Sequence, residues 1–389
     1  MTGPSPTPPP FPDENPPIRR RHVFYAYGFD PATAARYRRL ILAAGTGKAG
    51  PIEAKSDVSV GWTVHTDGVE TTFEVLAYED IVHRFRARPA WQRLRQGFSA
   101  WAGFLTSGGV ARARTWCKGP VRLWLYPFVM ALFFVAAGYL PLKMATSLLN
   151  IPFGGVISLI GGVALGLWAS FRAERITFAH LMLALFEFMF RLAQGDKTAA
   201  EMDARLDAFA ARIATAPPDA DEVLVVGHSL GGWVAVRALA RALPQLEGRR
   251  VGLLTLGSVA GFIASRGGPG ADRYTADVST VAVADNVFWT DVSAPRDWFS
   301  FGLVDPLCMV PNLPESAKSP RVISAKFGRF RADPADWRTR FQPMGLHMKY
   351  LSAPDVEGGF DPFATMCGPL SLYARYAPRR NSPKARMRT

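Results

Sequence analysis

A serine with glycine two places to either side, Gly227-His228-Ser229-Leu230-Gly231-Gly232, is the segment of this 389-residue chain best suited to chemistry. It follows the valine-rich run Val223 to Val226 and precedes the helical stretch WVAVRALARAL. A serine on so sharp a strand-to-helix turn has strained backbone dihedrals, so the residues two away must be tiny, as Gly227 and Gly231 are. The turn exposes the hydroxyl at the carboxyl edge of a sheet, and the next helix aims its amides and dipole there. This context predicts a nucleophile elbow with Ser229 as nucleophile. A tight strand–helix turn in some other α/β protein is the plainer alternative.

A serine hydroxyl is inert without a base. His347, in GLHMKYL, is the one histidine downstream of Ser229 and is the candidate base. His228, the variable residue of the elbow, is expected to point away from the reaction. An acid that orients the imidazole and stabilises its cation should lie between Ser229 and His347, on a turn after a strand. Asp297, after Pro295, is the first choice; Asp291, at the strand's edge, is the second, and Asp305, before Pro306, the third. Two backbone donors must meet the developing oxyanion, each worth about a hundred- to a thousandfold in rate. The Leu230 amide is one candidate. The Phe29 amide is the other, with Gly28 allowing close approach; an ordinary strand-ending glycine is the alternative there.

Several elements must position these groups. HVFYAY (22–27) reads as a buried strand, and PATAARYRRLILAAG, with Pro31 in its first turn, as a helix. SVGWTVHTDG and ETTFEVLAYE read as two strands joined at Asp67-Gly68. Residues 198–215 form an amphipathic helix with Met202, Leu206, Phe209 and Ile213 on its apolar face, ended by Pro217-Pro218. VLVVG, VGLLTLG, STVAVADNVFWT and RVISAKF then alternate with helical stretches. The expected class is α/β, a mostly parallel sheet with helices on both faces.

Residues 123–142 and 148–171 carry no charge and are each long enough to cross a bilayer, with only Lys143 to Ser147 between them. They predict a transmembrane hairpin; two buried core helices are the alternative, but such helices usually keep a polar face. Arg112, Arg114, Lys118 and Arg122 precede the hairpin, and Arg172, Arg175 and Arg191 follow it. That asymmetry predicts both ends, and the remaining chain, on the cytoplasmic side. Residues 174–194 read as an apolar helix, along the membrane or under the sheet.

Lys and Arg outnumber Asp and Glu by 45 to 32. That excess suits an anionic membrane face or nucleic acid. The basic residues crowd the apolar runs and no recognition motif accompanies the tail RRNSPKARMRT, so a lipid bilayer is the expected partner and nucleic acid is not. Three cysteines without a CxxC pair, and histidines without ligand spacing, predict neither disulfide framework nor metal. The expected divisions are a proline-rich lead-in (1–18), an N-terminal part of the α/β unit (19–120), the hairpin (121–172), the main catalytic part (173–378) and a solvated basic tail (379–389).

GHSLGG, the downstream TLGS, the loop APRDWFSF, and His347 followed by Tyr350 together resemble the α/β-hydrolase superfamily, most nearly its lipase and esterase branches. The resemblance covers about residues 20 to 375 without the hairpin, and only the elbow is specific. It implies cofactor-free hydrolysis of esters, often of lipids, through an acyl-enzyme. An acyltransferase using the same intermediate, and an inactive membrane scaffold, are the alternatives. The chain departs from the family in lacking the usual leading strands and in carrying the hairpin.

Overall fold

A computed structural model describes residues 16–30, 34–66, 68–327 and 343–388. In chain order, the elements before the hairpin are β1 (Arg20–Ala26), α1 (Ala34–Ala43), β2 (Lys48–Ala49), β3 (Glu53–Ser56), β4 (Ser59–Thr66), β5 (Val69–Leu76), α2 (Glu79–Arg86), α3 (Ala90–Thr106) and α4 (Gly109–Trp116). The hairpin helices are α5 (Gly119–Leu148) and α6 (Gly154–Arg172). Beyond them come α7 (Glu174–Thr177), α8 (Ala179–Gln194), α9 (Lys197–Ala214), β6 (Glu222–His228), α10 (Gly231–Ala242) and β7 (Val251–Leu256). The chain continues through α11 (Ala260–Arg266), α12 (Pro269–Val283), β8 (Val287–Ser293), β9 (Arg321–Ser324), α13 (Pro343–Met348), α14 (Pro362–Cys367) and α15 (Leu372–Tyr376).

The fold is α/β, with one mixed, mostly parallel sheet flanked by helices. Its order is β2-β4-β5-β1-β6-β7-β8-β9, with β3 also on β4. β5, β1, β6, β7, β8 and β9 run parallel, whereas β4 is antiparallel to β5. Inner parallel strands are covered on both faces and read as unbroken apolar runs. β6 and β7 follow that rule, every residue of both being buried. α10 packs over β6, and α14 and α15 reach β5, β7 and β8.

Local sequence accounts for most of these elements. The expected hairpin of β4 and β5 forms, with Gly68 at φ +78°; Asp67 lies outside the described residues, as do residues 1–15 and Pro31. STVAVADNVFWT is not one strand. Its first half ends α12, which Pro269 starts in the first turn, and only Val287 onward is extended. The β-branched residues there face helical neighbours rather than a sheet, and packing overrides propensity. Residues 174–194, expected as one helix, break at Phe178 (φ +54°) into α7 and α8, and α8 is buried against the helices α3, α9, α11 and α12. The helices α2 to α4 have no counterpart in the sequence reading. The tail is not solvated throughout, because the Arg386 carbonyl accepts from the Asp305 amide at 2.9 Å and Ser382 donates to Val322 at 2.8 Å.

α5 and α6 are long and apolar enough to cross a membrane. Lys143 to Ser147 belong to α5, and the reversal falls instead at Leu149 to Phe153. Asn150 and Phe153 there have φ +47° and +59°, and Pro152 between them has no backbone N–H to donate. Gly154, Ser158, Gly162, Gly166 and Ser170, each four residues apart, are the buried residues of α6. A β-carbon on Gly138 would lie 2.3 Å from the Gly162 carbonyl oxygen, so small residues permit this close helix contact. Thr146 and Ser158 hydroxyls meet across it at 2.9 Å. Leu132, Phe133, Leu140, Met144, Ile160 and Trp168 point outward and stay exposed.

Candidate active site

Ser229 stands at the carboxyl end of β6, between the ends of β1 and β7. Its φ is +61°, a left-handed conformation that costs a non-glycine residue about 1–3 kcal/mol. The surroundings enforce it. Ser229 N–H donates to the Leu256 carbonyl at 2.9 Å, while its own carbonyl accepts from Gly232 at 3.1 Å. A β-carbon on Gly227 would lie 2.3 Å from the Gly231 carbonyl oxygen, and one on Gly231 would lie 2.0 Å from that of Ala26. Gly232 has a different reason: a side chain there would strike Ser258 Oγ at 2.6 Å.

Gly28 follows β1 and faces the serine. Its missing β-carbon would lie 2.9 Å from Ser229 Cβ and 3.1 Å from Ser229 Oγ. Tyr78, which the sequence reading missed, holds this loop by donating its hydroxyl to the Tyr27 carbonyl, with the Gly28 carbonyl 3.1 Å away. Among the described residues, neither the Phe29 nor the Leu230 amide donates to a protein acceptor. Both amides therefore remain available to an oxyanion.

Asp297 and His347, fifty positions apart, meet in the interior. His347 Nδ1 donates to Asp297 Oδ2 at 2.9 Å, and the other carboxylate oxygen accepts the Phe299 amide at 3.0 Å. Both side chains are buried, and His347 Nε2 has no partner among the described residues. With the proton on Nδ1, Nε2 carries a free lone pair, as a general base must. The imidazole is clamped between Phe299, 4.4 Å away and 19° from coplanar, and His228, at 4.9 Å and 29°.

His228 thus does not point away. Its ring stacks on His347, and its Nε2 donates to the His347 carbonyl at 3.1 Å. Burial, reinforced by the neighbouring imidazole, pushes its pKa down to about 3, so it stays neutral. GHS signals this only to a reader who knows that α13 comes to rest on the elbow.

Ser229, His347, His228 and Phe299 line one cleft of about 270 Å³. Its other walls are Gly28, Phe29, Asp30, Arg36 and Tyr37, then Arg86 and Glu174, and then Phe178, Leu181, Met182 and Leu185. Met344 and Met348 of α13 close it.

Asp291 and Asp305 are not part of it. Asp291 projects from β8 beside a separate small cavity and accepts from Thr255 Oγ1 at 2.6 Å. Asp305 caps a short turn through the Leu307 amide at 2.9 Å. A strand residue's side chain is fixed by the pleat, whereas the loop beyond it can carry Asp297 over to α13.

Burial raises the Asp291 pKa from 3.8 to about 7. The native state therefore holds a proton that the unfolded chain loses above about pH 4. This contribution to stability is whole below pH 4 and is lost as pH rises through 7. Asp291→Asn keeps the Thr255 bond but does not titrate. Melts in detergent are expected to show the variant gaining on wild type between pH 4 and 7, by up to about 4 kcal/mol. Parallel pH profiles would refute this.

Among the described residues no group of histidines, cysteines and acids could hold a metal ion. No protein-family model, curated protein or solved structure matches this chain.

Proposed function

We propose that the chain is a membrane-anchored serine hydrolase of the α/β-hydrolase type that cleaves a lipophilic ester through an acyl-enzyme. One observation carries this reading. The buried Asp297–His347 pair leaves Nε2 unpartnered in the same cleft as a serine held at φ +61°. His347 takes the Ser229 proton as the hydroxyl attacks the ester carbonyl, and Asp297 steadies the resulting cation. The amides of Leu230 and Phe29 hold the oxyanion. His347 then protonates the leaving alcohol, and water releases the acyl group by the same steps in reverse. The cycle returns every proton to its source and asks for no cofactor.

The sheet supports the family assignment, since the elbow ends an inner parallel strand beside the strand that brings Phe29. β1 leads straight to that loop, and no strand precedes it among the described residues. The two apolar helices support a membrane anchor, and flanking charge supports a cytoplasmic cleft. Arg112, Arg114 and Lys118 precede α5, Arg122 lies in its first turn, Arg172 and Arg191 lie at or beyond the end of α6, and only Lys143 lies towards the tip. α8, which lines the cleft, begins a few residues after α6, so an ester dissolved in the bilayer has a short path to Ser229.

The test is labelling of the detergent-solubilised protein with a fluorophosphonate probe. Wild type is expected to label and Ser229→Ala not to label. Equal labelling of both would remove Ser229 as the nucleophile.

A further inference from the structure

A cation in an ester-cleaving cleft selects among leaving groups, and two line this one, Arg36 and Arg86. Arg36 is committed, donating to Asp30. Arg86 closes α2, and the arginines two places to either side are committed as well. Arg84 pairs with Glu201, and Arg88 pairs with Glu187 at 2.6 Å while covering the Phe85 ring. Arg86 has no ion pair or hydrogen bond among the described residues. The remaining acid of the cleft, Glu174, accepts its hydrogen bonds from the His180 and Leu181 amides at 2.9 and 2.8 Å; burial raises its pKa, and the charge of Arg86 offsets part of that rise without a direct bond.

The depth of this cation follows from the wall of the cleft that it shares with Glu174. Glu174 stands two residues beyond the end of α6, and the apolar lining from Phe178 to Leu185 follows it. The end of a membrane-crossing helix lies at headgroup level. A guanidinium there offers paired N–H donors that match a phosphate.

Resting on the hydrolase reading, we infer that Arg86 is a specificity-determining residue that holds the phosphate of an anionic acylated lipid. The acyl chain lies against Phe178, Leu181, Met182 and Leu185, with its carbonyl at Ser229. The ester C–O bond breaks as Ser229 Oγ takes the acyl group, and the phosphate-bearing alcohol leaves with the proton from His347. Water then supplies the hydroxyl of the released fatty acid.

The experiment compares kcat/KM on phosphatidic acid and on diacylglycerol of the same chains, in neutral detergent micelles, with the full-length protein. Wild type is expected to favour phosphatidic acid by about ten- to a hundredfold, the effect of a charge-assisted hydrogen bond. Arg86→Gln is expected to bring the ratio near one, Arg86→Lys to restore part of it, and Arg84→Gln to leave it as in wild type. A wild-type ratio near one, or a ratio unmoved by Arg86→Gln, overturns the inference. Inorganic phosphate is expected to compete only weakly; if it matches the lipid at equal concentration, the lipid source of the phosphate is wrong. Fluorophosphonate labelling of the same samples separates the two readings, because loss of labelling together with all hydrolysis overturns the hydrolase instead.

Discussion

Ser229→Ala and His347→Gln are each expected to lower kcat on a p-nitrophenyl acyl ester by about a million-fold, and the double variant by no more than either. The reason is that hydroxyl and imidazole act as one device. An unassisted serine does not attack an ester, and a base without a nucleophile has no bond to form. Glutamine suits position 347 because the imidazole fills the space between Phe299 and His228, which alanine would empty. Turnover is read by stopped substrate release, with melting in detergent as the check on folding. Losses that multiply in the double variant would show that the two residues act separately, and the acyl-enzyme mechanism would fall.

Asp297→Asn is expected to cost about ten-thousandfold in kcat with little loss of fold. The amide oxygen can still accept from Phe299, preserving the loop. Its NH2 group, however, donates towards Nδ1, which moves the imidazole proton to Nε2, where it blocks the base. Asp291→Asn should leave kcat within about tenfold of wild type, since that carboxyl bonds Thr255 and not His347. Reversal of the two results would exchange the acid's identity and contradict the geometry of the Asp297–His347 pair.

Much of this site is legible in the residues. The elbow is local, because glycine spacing, a strand before it and a helix after it all belong to one short stretch. His347 follows from the serine–acid–histidine order that the resemblance implies, being the one histidine downstream of Ser229. Among Asp297, Asp291 and Asp305 the residues give only a ranking, with Asp297 first for its place in the loop after Pro295, because all three occupy turns or strand ends of similar composition. Nor are the partners that steady the site. Tyr78 reaches the Gly28 loop from beyond β5, and His228 and Phe299 clamp an imidazole carried by α13. Such contacts have no periodic signal in sequence.

The strained turn at Ser229, the parallel strands and the two apolar helices can be read from the residues alone, because each depends on neighbours within a few turns of chain. Packing between distant segments is what brings Asp297 to the imidazole, stacks His228 on it, sets where the two apolar helices reverse, and puts Arg86 in the cleft without an ion pair or hydrogen bond among the described residues. Those outcomes depend on where separate strands end and on which side chains packing brings face to face. A distance through space between residues far apart in the chain is not encoded in any local pattern.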